Sequence, residues 1–291
     1  MKQRILFIIN PRSGTHSKQN LPALILQHLN LERFQPEFVF TEYAGHAIDL
    51  GRKGRAEGFP IIAVAGGDGT VNEVASTLLH STTILAILPS GSGNGLARHL
   101  KIPLSTADGI KLINQQHAIP IDTFKAGQHV AIGTFGIGFD AHIAHLFSLS
   151  KKRGYWTYVK LVLREFSRYQ PQKISLNVDG LKMEKDAFLL TFANSSQFGN
   201  NAVIAPAADI QDGILDIATV RAFPLVAAPG LIYRLTKNKL NASIYFSCIR
   251  GKSIEVINPG IMKAHVDGEP VEIQGDFRVE IDPLSLKIIV N

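Results

Sequence analysis

Short apolar runs alternate with longer amphipathic stretches as far as Asp122. The runs predict strands, and those in the middle are apolar without interruption, as expected for parallel strands buried on both faces. The strands are predicted at Arg4–Ile9, Glu37–Phe40, Ile61–Ala65, Ile84–Leu88 and Ile119–Ile121. The helices are predicted between them, at Lys18–Leu29, Gly45–Glu57, Thr70–Leu79 and Leu104–Gln116. This alternation predicts an α/β domain with a mostly parallel, Rossmann-like sheet and right-handed crossovers.

After Asp122, strand-length runs follow one another with little helix between them. Several alternate apolar and polar residues, which is typical of an antiparallel sheet with one solvated face, here most simply a β-sandwich. The strands are predicted at Val130–Phe135, Lys173–Val178, Phe188–Ala193, Ile214–Val220, Ile244–Ile249, Ser253–Ile257, Met262–Val266, Arg278–Ile281 and Leu286–Val290. Helical interruptions are predicted at Ala141–Tyr169 and Pro224–Lys239. We therefore expect two domains, residues 1–122 and 123–291, with a binding cleft between them.

Composition adds limits on partners and compartment. The net charge of +6 favours anionic partners, although a solvated excess of lysine and arginine would give the same value. The chain shows no dense basic tract and no nucleic-acid-binding motif, so nucleic acid is not an expected partner. A single cysteine, Cys248, excludes an intrachain disulfide and suits a reducing cytoplasm. The apolar run Ile5–Ile9 is too short for a signal peptide or a membrane span, so we expect a soluble, cytoplasmic protein.

Three loops rich in small residues follow predicted parallel strands. They are Asn10–Gly14, Gly66–Thr70 and Pro89–Asn94. Because the carboxyl ends of parallel strands share one edge of a sheet, these loops predict a phosphate-binding site. Each loop alone could be simple turn punctuation. Asp68 strengthens the prediction, because a carboxylate beside phosphates is repelled unless it holds a metal ion or orients a hydroxyl group.

Other nucleotide-binding motifs are absent or misplaced. The sequence has no Walker A motif, and its first loop lacks the dinucleotide pattern G-x-G-x-x-G. Gly136–Ala141 matches G-x-G-x-x-A after a strand. This segment opens the antiparallel half, however, and no strand–helix alternation follows it. We interpret it as close backbone packing.

The ordered set of motifs resembles the diacylglycerol kinase catalytic-domain family, which includes bacterial lipid kinases and sphingosine kinases. The likeness covers nearly the whole chain. Besides the three loops and the adjoining Val71-Asn72-Glu73, it rests on Gly136–Asp140, Ala205–Ala207, Asp212–Asp216 and Val266–Pro270. The Gly66–Thr70 turn alone is less specific, since NAD kinases and phosphofructokinases have a similar one.

The resemblance implies a magnesium-dependent transfer of the ATP γ-phosphate to a lipid hydroxyl in phospholipid metabolism, with diacylglycerol as the first acceptor to consider. It makes residues 1–122 the nucleotide-binding domain and residues 123–291 the lipid-substrate domain. It implies catalytic roles for Asp68 and for Glu269, the latter as general base. The implied ATP-binding residues are Asn10, Arg12, Ser13, Thr41, Gly66, Gly67, Asp68, Gly69, Thr70, Val71, Asn72 and Ser92.

The resemblance also implies metal ligands. Asp68 would position the catalytic magnesium, and a structural magnesium would bind Asp216 with the backbone oxygens of Gly213 and Ala218. One residue departs from the pattern, because Gly95 stands where many members have aspartate. Sphingosine kinases also have a small residue there, which keeps a sphingoid base or another lipid open as the acceptor.

A lipid kinase must reach its substrate at a bilayer, so we expect peripheral association with the membrane. Residues 151–158 and Pro224–Lys239 combine cations with apolar and aromatic side chains, although both could be helices that pack on the sandwich. Two rival functions stay open. One is an NAD kinase-like enzyme with a soluble acceptor, and the other is a nucleotide- or lipid-binding regulator without catalysis. Exposed sandwich edges leave a homodimer open as well.

Overall fold

The chain folds into two compact units in a computed structural model that describes residues 2–14, 18–150 and 155–291. Unit 1 comprises Met1–Asp122 and Leu284–Asn291, and unit 2 comprises Thr123–Pro283. The C-terminal segment therefore belongs with unit 1, whereas we predicted it in the second domain. The reason is pairing with unit 1: the Ser285 carbonyl accepts the His80 N–H at 2.7 Å, and Ile288 pairs in parallel with Leu85.

Strands and helices are numbered in chain order. The strands are β1 (Gln3–Ile9), β2 (Phe34–Phe40), β3 (Ile61–Gly66), β4 (Ile84–Pro89), β5 (Ala118–Ala126), β6 (His129–Ala131), β7 (Thr134–Gly138), β8 (Gln172–Val178), β9 (Leu181–Ala187), β10 (Leu189–Ala193), β11 (Leu215–Val220), β12 (Phe246–Gly251), β13 (Ser253–Ile257), β14 (Ile261–Val266), β15 (Glu269–Gln274) and β16 (Phe277–Ile289). The α-helices are α1 (Leu21–His28), α2 (His46–Ala56), α3 (Asp68–Leu78), α4 (Gly95–His99), α5 (Thr106–Gln115), α6 (Phe139–Ser148), α7 (Tyr155–Phe166) and α8 (Ala228–Thr236). Two 3₁₀ turns, Leu225–Ala227 and Leu240–Ala242, flank α8.

Unit 1 is built on a parallel sheet in the order β2-β1-β3-β4, which the C-terminal part of β16 extends beside β4. Every residue of β3 is buried, as the uninterrupted apolar run predicts for a central parallel strand. The predicted α/β fold is confirmed. The short helix α4 was not predicted, because its few residues are too short for a periodic pattern.

Unit 2 contains antiparallel sheets and a shared apolar core, which confirms the predicted β-sandwich. One sheet has the order β12-β11-β10-β7-β14-β15. The other has the order β16-β13-β8-β9, with β5 pairing β16 and β6. The core includes Phe124, Phe135, Phe192 and Phe277. The ring centroid of Phe135 lies 6.0 Å from that of Phe192 and 5.8 Å from that of Phe277.

Several elements of unit 2 differ from the prediction. β9 and β15 were missed, because each of these polar strands has only one buried residue and their apolar alternation is weak. The strands predicted at Arg278–Ile281 and Leu286–Val290 form one long strand, β16. The predicted helical interruption Ala141–Tyr169 holds two helices, α6 and α7.

Candidate functional site

The loops that follow β1, β2, β3 and β4 lie at one edge of the parallel sheet. Backbone hydrogen bonds join them in pairs: Thr41 N–H donates to Ile9 O, and Asn10 N–H donates to Ala65 O, both at 2.9 Å. Ser90 N–H donates to Gly66 O, also at 2.9 Å. The sequence-predicted loops are therefore neighbours in space, and Thr41 adjoins the first of them.

Asn10 organises the loop after β1. Its side-chain oxygen accepts the Arg12 N–H at 2.9 Å, and its amide nitrogen donates to the Thr70 hydroxyl oxygen at 2.8 Å. The Ser13 hydroxyl donates to the Asn10 carbonyl at 3.1 Å. Arg12 itself is exposed. Asn10 thus connects the first loop to the first turn of α3, while Arg12 offers a cation at the surface.

Lys18 lies within the same loop, which sequence reasoning missed. Its amine is buried and donates to the Asn10 carbonyl at 3.0 Å and the Ser13 carbonyl at 2.5 Å, and it also contacts the Ser13 hydroxyl. Burial lowers the pKa of Lys18 from 10.5 to about 8. In the sequence Lys18 is one lysine at the start of a predicted helix, with nothing to distinguish it from a solvated side chain.

The Gly66–Thr70 turn joins buried strand β3 directly to helix α3. Gly67 occupies the N-cap position, and its carbonyl accepts the Val71 N–H at 3.0 Å as the first helical bond. Because Gly67 has no side chain, it provides no side-chain cap for the backbone N–H groups of the first turn. The partial positive charge of a helix N-terminus favours an anion there.

Asp68 is tied to the loop after β4. Its Oδ2 atom accepts the Asn94 N–H at 2.8 Å. Asn94 is buried in the left-handed conformation, with φ of 53°, and its side chain accepts the Gly91 N–H and donates to the Gly91 carbonyl, both at 2.9 Å. Gly95 is the buried first residue of α4. The departure from the family pattern therefore lies beside the residue that contacts Asp68.

The three loops approach so closely that side chains would separate them. A Cβ atom on Gly14, at φ +71°, would lie 2.2 Å from the Ser90 carbonyl oxygen. A Cβ atom on Gly91 would lie 2.6 Å from the Gly67 Cα. Glycine is therefore required at these two positions for the backbones to come into contact. A glycine that served only to form a turn would not need such a close approach.

In unit 2, Glu269 follows a tight turn between β14 and β15. Asp267 and Gly268 have φ of 48° and 89°, as in a two-residue hairpin turn. The Asp267 carboxylate accepts three backbone N–H groups, from Ile132 at 3.0 Å, Gly133 at 2.9 Å and Thr134 at 2.8 Å. Glu269 is exposed as the first residue of β15. A turn that is held by these hydrogen bonds therefore presents the Glu269 carboxylate to solvent.

Asp216 is a buried carboxylate on β11, opposite Arg250 on β12. Its Oδ1 atom accepts the Cys248 thiol at 3.3 Å, and its Oδ2 atom lies 3.7 Å from Arg250 Nε. Within the parts of the chain that the structure describes, this buried Oδ2 has no hydrogen-bond partner. Burial raises the pKa of Asp216, and burial with the neighbouring Asp216 charge raises the pKa of Cys248 to about 12. Arg250 also pairs with Asp212.

Comparison with known proteins decides the family. Residues 4–126 match the diacylglycerol kinase catalytic domain, and residues 133–290 match the YegS C-terminal NAD kinase beta sandwich-like domain. A Pseudomonas putida protein named "Probable lipid kinase YegS-like" is 30% identical over 254 residues, which is 85% of this chain and 83% of that protein. The chain belongs to the YegS-like family of the diacylglycerol kinases. The resemblance to the diacylglycerol kinase catalytic-domain family is confirmed.

Other relatives of this YegS-like chain agree along its length. An Escherichia coli O127:H6 protein named "Probable lipid kinase YegS" is 27% identical over 296 residues, covering 97% of this chain and 94% of that protein. The crystal structure of a diacylglycerol kinase from Bacillus anthracis str. Sterne superposes with a TM-score of 0.74. At 23% identity, over 99% of this chain and 97% of that one, this likeness shows the shared fold.

The predicted metal positions differ in their surroundings. In residues 2–14, 18–150 and 155–291, no group of three or more His, Cys, Asp or Glu side chains could hold a metal ion. Magnesium at a phosphate site does not need such a group, because one or two carboxylates, phosphate oxygens and water suffice. Asp68, half-buried beside the N-terminus of α3, fits that donor set. The orphaned Oδ2 of Asp216 fits a metal ligand too, although Arg250 already compensates part of its charge.

Proposed function

We propose that the protein is a kinase that transfers the γ-phosphate of ATP to a lipid hydroxyl, with diacylglycerol as the first acceptor to test. The observation that supports this most is the joined loop edge, where Asn10 contacts Thr70 and Asn94 contacts Asp68. Both contacts lie within the part of the chain that matches the diacylglycerol kinase catalytic domain. Phosphoryl transfer asks the protein mainly for alignment and charge neutralisation, which this edge can supply.

In this proposal the loop edge binds the phosphates of ATP. Backbone N–H groups of the Gly66–Thr70 turn and the first turn of α3 donate to phosphate oxygens. The exposed Arg12 and Ser92 add a cation and a hydroxyl, and the buried Lys18 adds positive charge beneath the first loop. The remaining predicted ATP residues, Asn10, Ser13, Thr41, Val71 and Asn72, are proposed to complete the same site.

Asp68 would hold magnesium, which when bound neutralises charge on the transferring phosphoryl group. The Asn94 N–H donates to Asp68 and fixes the direction of its carboxylate. Gly95 adds no carboxylate of its own, so phosphate oxygens and water would complete the ligand set of the ion.

Glu269 is the proposed general base. It accepts the proton of the lipid hydroxyl as that oxygen attacks the γ-phosphorus and the bond to ADP breaks. General-base assistance contributes about 10²–10⁴-fold to rate. Its exposed position lets an acceptor reach it, and the hydrogen-bonded turn at Asp267 limits its movement.

The test is acceptor-dependent ATP consumption. Wild-type protein is assayed with diacylglycerol, monoacylglycerol, sphingoid bases, phosphatidylglycerol and NAD. Glu269→Gln should lose most turnover and keep its affinity for ATP, whereas Glu184→Gln, an exposed glutamate on β9, should behave as wild type. Turnover with NAD alone would favour the soluble-substrate rival. ATP binding without acceptor-dependent consumption would favour the non-catalytic regulator, and near-wild-type turnover of Glu269→Gln would exclude its role as base.

Asp216, with the backbone oxygens of Gly213 and Ala218, is the proposed site of a second, structural magnesium. Because its ligands include a buried carboxylate oxygen, binding there should stabilise unit 2. Magnesium should raise the thermal unfolding temperature of wild type more than that of Asp216→Asn. Equal responses of the two proteins would exclude this site.

We further propose that the segment around α8 contacts the membrane surface. Large apolar side chains there are exposed: Leu225 by 63%, Val226 by 85%, Ile232 by 56% and Tyr233 by 57%. Lys237 and Lys239, at the end of the same segment, are exposed as well. Apolar side chains beside cations match the interface of an anionic bilayer. Within the described residues, no helix is long and apolar enough to span a bilayer.

Vesicle sedimentation tests the membrane surface. Binding to phosphatidylcholine vesicles that contain phosphatidylglycerol should weaken in Val226→Ser/Ile232→Ser, but not in Leu181→Ser, whose apolar side chain is 71% exposed on β9. Equal binding of the two variants would exclude the α8 segment. The other predicted surface, residues 151–158, lies partly outside the described residues.

A further inference from the structure

The buried His265 and the half-buried Asp140 form a polar pair in contact with the turn that precedes Glu269. Side-chain exposure is 4% for His265 and 10% for Asp140, and His265 Nε2 lies 3.0 Å from Asp140 Oδ2. On the other side of the ring, Gly268 N–H donates to His265 Nδ1 at 3.3 Å. A chain of two hydrogen bonds therefore runs from Asp140 through the imidazole to the turn.

The two hydrogen bonds specify one tautomer of His265. Nδ1 accepts an N–H from the backbone, so it carries no proton. Nε2 must then carry the ring proton and donate it to Asp140. A carboxylate that accepts from one ring nitrogen fixes both the tautomer and the orientation of the ring. Thr191, whose hydroxyl donates to Asp140 Oδ2 at 3.4 Å, adds a further constraint.

Gly136 provides the space for this pair. A Cβ atom there would lie 2.2 Å from His265 Nε2 and 2.3 Å from Asp140 Oδ2. Gly138, at φ +111°, then lets the chain turn into α6, which places Asp140 in the first helical turn. The segment Gly136–Ala141, which matches a dinucleotide fingerprint and which we predicted to serve close backbone packing, thus makes room for a specific polar contact.

The turn is held from two directions. The Asp267 carboxylate accepts N–H groups of Ile132, Gly133 and Thr134, and His265 accepts the N–H of Gly268. Glu269 is the next residue. A displacement of about 1 Å at a reacting group can cost about 10²-fold in rate, so a contact that fixes this turn affects catalysis without touching substrate.

We propose that Asp140 and His265 are positioning residues for Glu269. Asp140 holds His265 in the tautomer whose Nδ1 accepts the Gly268 N–H, and that bond fixes the backbone from which Glu269 projects. The proposal rests on the proposed role of Glu269 as general base. The experiment below therefore includes a measurement that does not depend on activity.

Two substitutions of His265 separate its two hydrogen bonds. Asparagine places an oxygen near the position of Nδ1, so His265→Asn can still accept the Gly268 N–H. Glutamine reaches toward Asp140 but leaves that N–H without its acceptor. We expect His265→Gln to lose about 10–100-fold in kcat with the KM for ATP within about twofold of wild type. His265→Asn should keep most of the turnover.

Asp140→Asn tests the tautomer directly. Its carboxamide nitrogen can donate to Nε2, which would move the ring proton to Nδ1 and remove the acceptor for Gly268. We expect kcat to fall as in His265→Gln. In ¹⁵N NMR of labelled histidine, the His265 signals should change from the Nε2–H to the Nδ1–H pattern, with assignment by their absence in His265→Asn.

His142→Gln is the matched control, because His142 Nε2 also contacts a carboxylate, Glu165 Oε2, at 3.1 Å. It should keep wild-type kcat. Equal kcat for His265→Gln and His142→Gln, or for the two His265 variants, would overturn the proposal. If His265→Gln does not fold, an Nδ1–H tautomer in the wild type would overturn it as well. If Glu269→Gln loses turnover but none of the His265 variants does, the positioning role of His265 is refuted and the role of Glu269 as base is not. If Glu269→Gln stays active, the role of Glu269 as general base is refuted.

Discussion

Replacing Asp267 with asparagine isolates the hydrogen bonds that hold the turn before Glu269. Asp267 has a positive φ of 48°, a conformation that asparagine adopts more readily than most residues. The substitution therefore leaves the backbone preference nearly unchanged. It removes the negative charge and converts one acceptor oxygen into an NH₂ donor.

The magnitude follows from the three bonds. Oδ1 accepts from Gly133 and Thr134 at 2.9 and 2.8 Å, and Oδ2 accepts from Ile132 at 3.0 Å. The asparagine oxygen can replace Oδ1, but its NH₂ group then faces the Ile132 N–H. One hydrogen bond to a charged acceptor is lost, and the other two are then made to a neutral acceptor. Since a hydrogen bond to a charged group contributes about 1.5–3 kcal/mol, we expect a loss of about 2–3 kcal/mol in unfolding free energy.

Asp179 offers a matched control in the same unit. Asp179 and Gly180 have φ of 48° and 92°, nearly the values of Asp267 and Gly268. The Asp179 carboxylate also accepts backbone N–H groups, from Lys252 at 3.1 Å and Ser253 at 2.9 Å. Asp179 is exposed, so water can replace a lost bond, and Asp179→Asn should cost about 1 kcal/mol or less.

The assay is urea unfolding of the whole chain, followed by circular dichroism, with kcat measured on each variant. A chain of two units can unfold in steps, so the transition that includes unit 2 is the one to compare. Asp267→Asn should lower its midpoint clearly more than Asp179→Asn, and it alone should reduce kcat. Equal midpoints would refute the hydrogen-bond reasoning. A destabilised Asp267→Asn with wild-type kcat would refute the link between this turn and Glu269.

Two further predictions concern the loop edge. Gly14→Ala should weaken ATP binding at least tenfold by equilibrium titration, because its Cβ atom meets the Ser90 carbonyl. Gly45→Ala, also at positive φ, should not, because no atom of the described residues lies within 4 Å of its Cβ position, and equal affinities of the two variants would contradict the close approach. Burial lowers the pKa of Lys18 from 10.5 to about 8 in the folded chain, so between these two pH values the unfolded chain binds more protons than the folded chain. The stability of the wild type should therefore rise with pH relative to that of Lys18→Met, and a constant difference between their urea midpoints from pH 7.5 to 10 would contradict this.

The sequence predicted the loop edge well because its signals are local. Strands buried on both faces must be apolar throughout, as Ile61–Gly66 is, and close backbone approach requires glycines such as Gly14 and Gly91. The topology of a parallel sheet then places the loops together without knowledge of any side-chain contact. Weakly patterned strands such as β9 and β15 escape prediction, because partial burial leaves little of the period-two signal.

Other parts of the site depend on contacts between residues that are distant in sequence. Arg250 and Cys248 face Asp216 because β11 pairs with β12, and this register cannot be derived from either segment alone. His265 and Asp140 are separated by 125 residues, and their contact requires the space that Gly136 leaves. Lys18 is recognisable only when its amine is seen among the carbonyls of the first loop.

The two Asp-Gly turns show why local sequence could not settle the role of Glu269. Asp179-Gly180 and Asp267-Gly268 have the same residues and nearly the same φ angles, so each alone predicts an ordinary hairpin. They differ in their surroundings, because only Asp267 binds three consecutive amides and only Gly268 donates to a buried histidine. A hairpin that needed only to reverse the chain would not require a third amide or a histidine, since the exposed Asp179 carboxylate accepts the N–H groups of Lys252 and Ser253 and its turn reverses the chain as well. The extra contacts are those expected where the position of the next side chain matters, which supports Glu269 as a functional residue independently of the family resemblance.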